Sequence, residues 1–199
     1  MNRRNKLVCG VGINDVENSK DGKIKQKLAR ICPYYTMWCS MLGRCYNINH
    51  LKRYPRYENC SVCDEWLTFS NFKFWAETQN WEGRHLDKDL LVRDNKVYSP
   101  ETCCFISGAV NNFIIERNAS RGEWPIGVSW HKRDQRFIAS CGNPFTGKGT
   151  YIGFFSTPEE AHQAWLARKL ELAKLLAAEQ DDPRVAKALV ERYENYNLN

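Results

Sequence analysis

Asp87, in the run His85-Leu86-Asp87-Lys88-Asp89, and the pair Asn111-Asn112 are the residues whose types suit work on a phosphate ester. A carboxylate on a strand and a side-chain oxygen one turn into a following helix can hold a divalent ion between them. Such an ion stabilises a leaving oxygen while a nearby base activates water. Mg²⁺ (or Mn²⁺) is the expected cofactor, because Mg²⁺ keeps most of its waters and needs only one or two protein oxygens. His85, two residues before Asp87, is a candidate proton acceptor, and Asp89 is either a second carboxylate or a loop brace. A second kind of chemistry is offered by Cys60-x-x-Cys63, which has zinc-ligand spacing, with Cys45 and Cys103 or Cys104 able to complete a four-thiolate site. The competing expectation is that these thiols simply pack in an aromatic core.

The elements that must position these residues follow from periodicity. Tyr35, Trp38, Met41, Leu42 and Cys45 recur at three- and four-residue steps and predict a helix. The polar stretch Asn47 to Tyr57 interrupts the pattern, and Trp66, Phe69, Phe72 and Trp75 then predict a second helical face with Ser70 as its cap. Leu86 to Val92 reads as a strand, Arg93-Asp94-Asn95 as a turn, and Cys103 to Ile106 as a second strand. Ser107 is placed to cap a helix running through Ala109 to Ile115. Strand, loop, strand, helix is a ββα unit. Past a polar linker, Ile126 to Trp130, Phe137 to Cys141 and Thr150 to Phe154 predict a three-stranded antiparallel sheet. Thr157-Pro158-Glu159-Glu160 is a capping box with proline at the first helical position, and Pro183 precedes a last helix carrying Val185, Leu189, Tyr193 and Tyr196.

Leu86-Asp87-Lys88-Asp89, then Tyr98-Ser99-Pro100-Glu101-Thr102-Cys103, then Asn111-Asn112 resemble the degenerate HNH (ββα-metal) motif of phage-encoded homing endonucleases. Trp38-x-x-Met41-x-x-x-Arg44-Cys45, Val62-Cys63-Asp64-Glu65-Trp66 and Gly10-Val11-Gly12-Ile13-Asn14-Asp15 extend the likeness over most of residues 8 to 118. The resemblance implies that Asp87 and Asn111 are the metal ligands and that Thr102 stands where an asparagine braces the loops. Lys88 stands where the standard type has the histidine that deprotonates water. A protonated lysine has no lone pair to accept a proton, so the base would come from His85, Tyr98 or a metal-bound water.

Gly127-Val128-Ser129-Trp130, Arg136-Phe137-Ile138-Ala139 and Tyr151-Ile152-Gly153-Phe154-Phe155-Ser156-Thr157-Pro158-Glu159-Glu160-Ala161 resemble the AP2 DNA-binding domain over roughly residues 123 to 178. That family lays a three-stranded sheet, backed by one helix, in the major groove. Strand alternation independently gives an outward set of Ser129, His131, Arg136, Ile138, Ser140 and Tyr151, with Lys132, Arg133 and Lys148 at the turns. These side chains can reach phosphates and base edges.

The expected fold is therefore α+β, a degenerate HNH ββα-metal domain followed by an AP2-like sheet packed on a helix. Its expected divisions are a basic arm at 1–30, the nuclease-like domain at 31–118, the sheet domain at 119–180 and a C-terminal helix at 181–199. The chain has 199 residues and a formal charge of +6. Residues 1 to 30 hold eight Lys or Arg against three acids, residues 31 to 120 ten of each, and residues 121 to 156 five against two. Two basic segments flanking a neutral block suit a polyanion, so double-stranded DNA is the expected partner. The expected activity is a sequence-specific, metal-dependent, nicking endonuclease acting as a monomer or weak homodimer. The rival expectation is a non-catalytic DNA-binding protein derived from such a nuclease. No stretch approaches the roughly 20 apolar residues that span a bilayer. Nine cysteines and no apolar leader predict a reducing, cytoplasmic setting, that of the host cell if the gene is carried by a phage.

Overall fold

The computed structural model describes residues 7–15, 32–115 and 123–196, and the chain divides into two units, Met1–Phe105 and Ile106–Asn199. It mixes helix and sheet, as an α+β chain does. Of the expected basic arm, residues 1–6 and 16–30 lie outside the described residues, as do residues 116–122 of the linker.

In the first unit, helix α1 (Pro33–Tyr46) buries Tyr35, Trp38, Met41, Leu42 and Cys45, the stripe its spacing predicts. The stretch Asn47 to Tyr57 is structured. The Asn47 side chain accepts from the amides of Asn49 (3.0 Å) and His50 (3.2 Å), which starts a short helix α2 (Ile48–Arg53), and a 3₁₀ turn, Pro55–Tyr57, follows. Trp66 belongs to a separate 3₁₀ turn, Asp64–Leu67, ahead of helix α3 (Phe69–Glu77).

Ser70 does not cap α3. Its amide and hydroxyl instead donate to Asp15 at 3.0 and 2.5 Å, so a residue more than fifty positions upstream satisfies the helix start. Residues 7–15 are thus part of this packing. Val8 bridges Gly12, Ile13 bridges Thr68, and a Cβ on Gly12 would lie 2.9 Å from the Trp38 ring and collide with Leu42. The core is aromatic, with the Trp38 indole donating to the Trp66 carbonyl at 2.7 Å and Trp75 stacked on Phe105 at 5.6 Å.

Four short strands complete this part of the chain. β1 (Ser61–Val62) pairs in parallel with β3 (Val97–Tyr98), while β2 (His85–Asp87) pairs with β4 (Cys104–Ile106). The strand expected over Leu86 to Val92 stops at Asp87 for a local reason. Asp87 Oδ1 accepts the amides of Asp89 (2.9 Å) and Leu90 (2.7 Å), which turns the backbone away from the ladder.

The second unit opens with helix α4 (Gly108–Ile114), capped by Ser107, whose hydroxyl accepts from the Val110 amide at 3.2 Å. β5 (Val128–His131), β6 (Arg136–Gly142) and β7 (Gly149–Phe155) form an antiparallel sheet in that order. Helix α5 (Pro158–Ala177) lies against it, with both halves of the Thr157–Glu160 capping box made, and helix α6 (Pro183–Glu194) packs on α5. Gly127 sits at φ +81°, and a Cβ there would collide with the Trp165 indole, so helix and sheet meet at a position only glycine fills. The carbonyl end of α4 is held within this unit. Phe113 O accepts from Lys169 Nζ (2.6 Å) and the Tyr193 hydroxyl (3.2 Å), and Ile114 O accepts from Arg192 (3.3 Å). Tyr193 is buried there and Tyr196 packs on His162 and Trp165, so both tail tyrosines are used inside their own chain.

Candidate functional site

Asp87 ends β2 with one carboxylate oxygen committed to the loop. Burial pushes its carboxyl above the usual aspartate value, and the two amide bonds only partly offset this. A desolvated carboxylate of this kind gains from a nearby cation. Lys88 is the cation that lowers its pKa, and Arg44, from the last turn of α1, interacts with it electrostatically, its Nη1 reaching the Leu86 carbonyl at 3.5 Å and its guanidinium bonding the Tyr98 hydroxyl. Burial works against the charge on Arg44, but Tyr98, Tyr57 and Asp87 together hold its pKa above the ordinary value. In the sequence Arg44 stands in the Trp38-x-x-Met41-x-x-x-Arg44-Cys45 motif, with nothing local to mark a role for it. Its spacing marks a helix position, whereas its meeting with β2 depends on how α1 is packed.

The four expected partners of Asp87 separate into distinct environments. His85 is exposed and, two residues before Asp87, shares its strand face. Lys88 points inward and is only 4% exposed. Its ammonium donates to the Asp89 carboxylate and, at 2.6 Å, to the Asn95 carbonyl. Tyr98 is 1% exposed, and burial lifts its hydroxyl well above the usual tyrosine range, with Arg44 opposing. Neither Lys88 nor Tyr98 is presented to solvent as a base would be. Asn111 lies half-buried on α4, in the second unit.

The loop between β2 and β3 is held by side chains. Asn95 Nδ2 donates to the carbonyls of Lys88 (2.9 Å) and Val97 (2.6 Å), and its Oδ1 accepts from the Val97 amide at 3.1 Å. The Thr102 hydroxyl donates to the Val97 carbonyl at 2.8 Å and meets Ser99 Oγ at 3.1 Å. Thr102 is therefore a brace, and Asn95, which the sequence marks only as a turn residue, is the other.

The cysteines do not gather. Burial pushes the Cys45 thiol up to about 12, with Cys60 adding to the rise, and pushes Cys103 up to about 12, with Cys63 contributing. All four are free thiols, and among the described residues no three His, Cys, Asp or Glu side chains converge as a metal-holding group. The four-thiolate zinc site expected from Cys45, Cys60, Cys63 and Cys103 is accordingly not assembled. A Mg²⁺ ion keeps most of its waters and can be held by a single carboxylate.

In the second unit, Phe137, Ala139 and Cys141 face α5, and Ser129, His131, Arg136, Ile138, Ser140 and Tyr151 share the opposite face of the sheet. Phe154 joins them, a residue sequence alternation misses. β7 runs from Gly153 opposite Ala139 to Tyr151 opposite Ser140, so Ile152 is an extra residue in a bulge. The bulge puts Tyr151 and Phe154, three apart, on one side. Arg136 lies over the Phe154 ring at 5.9 Å, and His131 and Tyr151 contact its edge at 5.4 and 5.6 Å. Tyr151 is 56% exposed. At the β5–β6 turn, Asp134 approaches both His131 (3.2 Å) and Arg133 (3.2 Å) and offsets the arginine's charge, while Lys132, Arg136 and Lys148 have no carboxylate partner among the described residues.

No helix among the described residues is long and apolar enough to cross a membrane. No protein-family model, curated protein or solved structure matches the chain.

Proposed function

We propose that this protein is a sequence-specific, divalent-metal-dependent DNA endonuclease of the HNH-like kind, reading DNA through an AP2-like sheet. The observation that carries the catalytic half is Asp87, a desolvated carboxylate at a strand end with a charged arginine beside it and an exposed histidine on the same strand face. A carboxylate with limited solvation is a hard oxygen donor, which fits Mg²⁺ or Mn²⁺. When bound, the ion would supply charge stabilisation at the leaving oxygen of a phosphodiester. Asp87 would hold it, Arg44 would offset phosphate charge, and His85 would accept the proton from attacking water. Lys88 and Thr102 keep the loop that carries Asp87 in place.

The DNA-reading half rests on the outer face of β5–β7, where Arg136 is braced against Phe154 and has no carboxylate partner among the described residues. An arginine pre-ordered on a ring loses less freedom when it bonds a phosphate or a guanine edge. A second proposal, DNA binding without cleavage, is favoured by the buried Lys88, bonded to Asp89 and Asn95, in the position where a standard enzyme has its base.

Supercoiled plasmid carrying the gene's own flanking sequence separates the two. Wild type should nick it with Mg²⁺ or Mn²⁺, Asp87→Asn should not, and His85→Ala should be slower by about 10²-fold or more, the usual contribution of a general base. Equal nicking by wild type and Asp87→Asn would remove Asp87 from the chemistry. Retained DNA binding with no nicking by wild type would establish the binding-only alternative. Loss of affinity in Arg136→Ala is expected under both.

A further inference from the structure

Residues 31–105 of the first unit carry nine Lys or Arg and nine acids, yet these charges are not mixed evenly along the chain. From Arg44 to Tyr57 there are four cations, Arg44, Lys52, Arg53 and Arg56, and no acid. Lys96 joins them from another part of the chain, its ammonium donating to the Arg56 carbonyl at 3.3 Å. Lys52, Arg53, Arg56 and Lys96 are all exposed, and none pairs with a carboxylate among the described residues. Elsewhere on the protein such pairing is common: Lys73 with Glu77, Arg168 with Glu171, Lys174 with Glu194, and Lys187 with Glu191.

The segment is also ordered in a particular way. Arg53 lies over the Tyr54 ring at 5.5 Å and Arg56 over Tyr57 at 5.1 Å. His50 packs between those two tyrosines at 4.8 and 5.5 Å. Arg44 lies 6.0 Å from the same Tyr57 ring, bonds Tyr98, and reaches the carbonyl of Leu86, the residue before Asp87, at 3.5 Å. A continuous set of contacts therefore runs from the exposed arginines to the candidate site. Cations in the last turn of α2 complement its dipole, which is the ordinary reason for lysine and arginine at a helix end. That reason does not extend to Arg56 or Lys96, which lie beyond the helix.

From this arrangement we infer that α2 and the 3₁₀ turn after it, with Lys52, Arg53, Arg56 and Lys96, form a contact surface for the phosphate backbone of double-stranded DNA next to Asp87. The inference rests on the DNA-binding part of the function proposed above and does not need cleavage. Stacked guanidiniums keep their N–H edges available while their rings limit the freedom lost on binding. Backbone contacts of this type position a duplex without reading its sequence. The surface would thus hold the strand to be cut, while the outer sheet face of the second unit selects the site.

The test is a fluorescence-anisotropy titration of a labelled duplex of arbitrary sequence, repeated over a series of KCl concentrations. It compares wild type, Lys52→Ala/Arg53→Ala/Arg56→Ala, Arg53→Lys/Arg56→Lys, and Lys174→Ala/Lys187→Ala. Each phosphate contact contributes about 0.9 to the slope of log affinity against log salt, so the triple variant should be shallower by about 2 to 3. The lysine replacements should keep the wild-type slope, since charge is retained, and Lys174→Ala/Lys187→Ala should match wild type. Circular dichroism confirms that the exposed substitutions leave the fold intact. A wild-type slope in the triple variant overturns this surface while leaving the endonuclease proposal standing. Absence of duplex binding by wild type overturns both. Salt-dependent binding of the predicted size with no nicking supports this surface while refuting cleavage.

Discussion

Lys88→Met separates a structural lysine from a catalytic one. The native side chain is 5% exposed, and its ammonium is divided between the Asp89 carboxylate and the Asn95 carbonyl. Asp89 is 51% exposed, so the ion pair is largely screened and contributes at most about 0.5 kcal/mol. The bond to the half-buried Asn95 carbonyl is charge-assisted and contributes about 1.5 to 3 kcal/mol, and removing its donor leaves that carbonyl unsatisfied. Methionine preserves the apolar stem and the packing around it, which isolates the polar loss. The expected destabilisation is therefore about 2 to 3 kcal/mol, read as a lowered urea midpoint followed by tryptophan fluorescence, to which Trp38, Trp66 and Trp75 in the first unit respond. Where the variant is folded, metal-dependent nicking should persist at a reduced rate, because Asp87 still turns the loop through the Asp89 and Leu90 amides. A variant with wild-type stability and no activity would refute the assignment and make Lys88 a participant in the chemistry.

Asp87→Asn has a pH signature of its own. Because the folded-state pKa of Asp87 is raised, the folded protein binds this proton more tightly than the unfolded chain, and stability falls as pH rises from the usual aspartate value through the raised one. Asparagine keeps an oxygen for the two amides and has no proton to lose. Its stability relative to wild type should therefore improve from acid towards neutral pH in parallel urea titrations; a difference that does not vary with pH would contradict the buried-charge account. In the second unit, Gly127→Ala must place a Cβ both at φ +81° and against the Trp165 indole. About 1 to 2 kcal/mol for the backbone and about 1 to 3 for overpacking predict a loss of roughly 3 kcal/mol, and a cost below about 1 kcal/mol in the same assay would mean that helix and sheet do not meet there.

How much of this was legible in the sequence depends on whether a feature is local. The stripe of α1, the capping box of α5, the Ser107 cap and the three antiparallel strands arise from neighbours within a few residues, and all four were readable. Asn47 is also local, yet its short capped helix was hidden in a stretch whose composition looked like a loop. The cap of α3 was not readable, because its donor and acceptor, Ser70 and Asp15, are joined only by the fold. The same is true of Arg44. The Phe154 position was obscured by the bulge at Ile152, which changes the phase of alternation in mid-strand.

Residue type and period mark the side chains with suitable chemistry, an aspartate on a short strand, a histidine two residues earlier and an arginine on the middle strand of a sheet, because both are local properties of the chain. Tertiary structure decided which of them are in a position to act. It turned Lys88 inward onto Asn95, sealed Tyr98 beneath Arg44, kept the cysteine thiols from converging, and left His85 and the Arg53–Arg56 surface in water. Burial and the identity of a distant partner are properties of the packed chain. A residue's own neighbours in sequence carry no record of either.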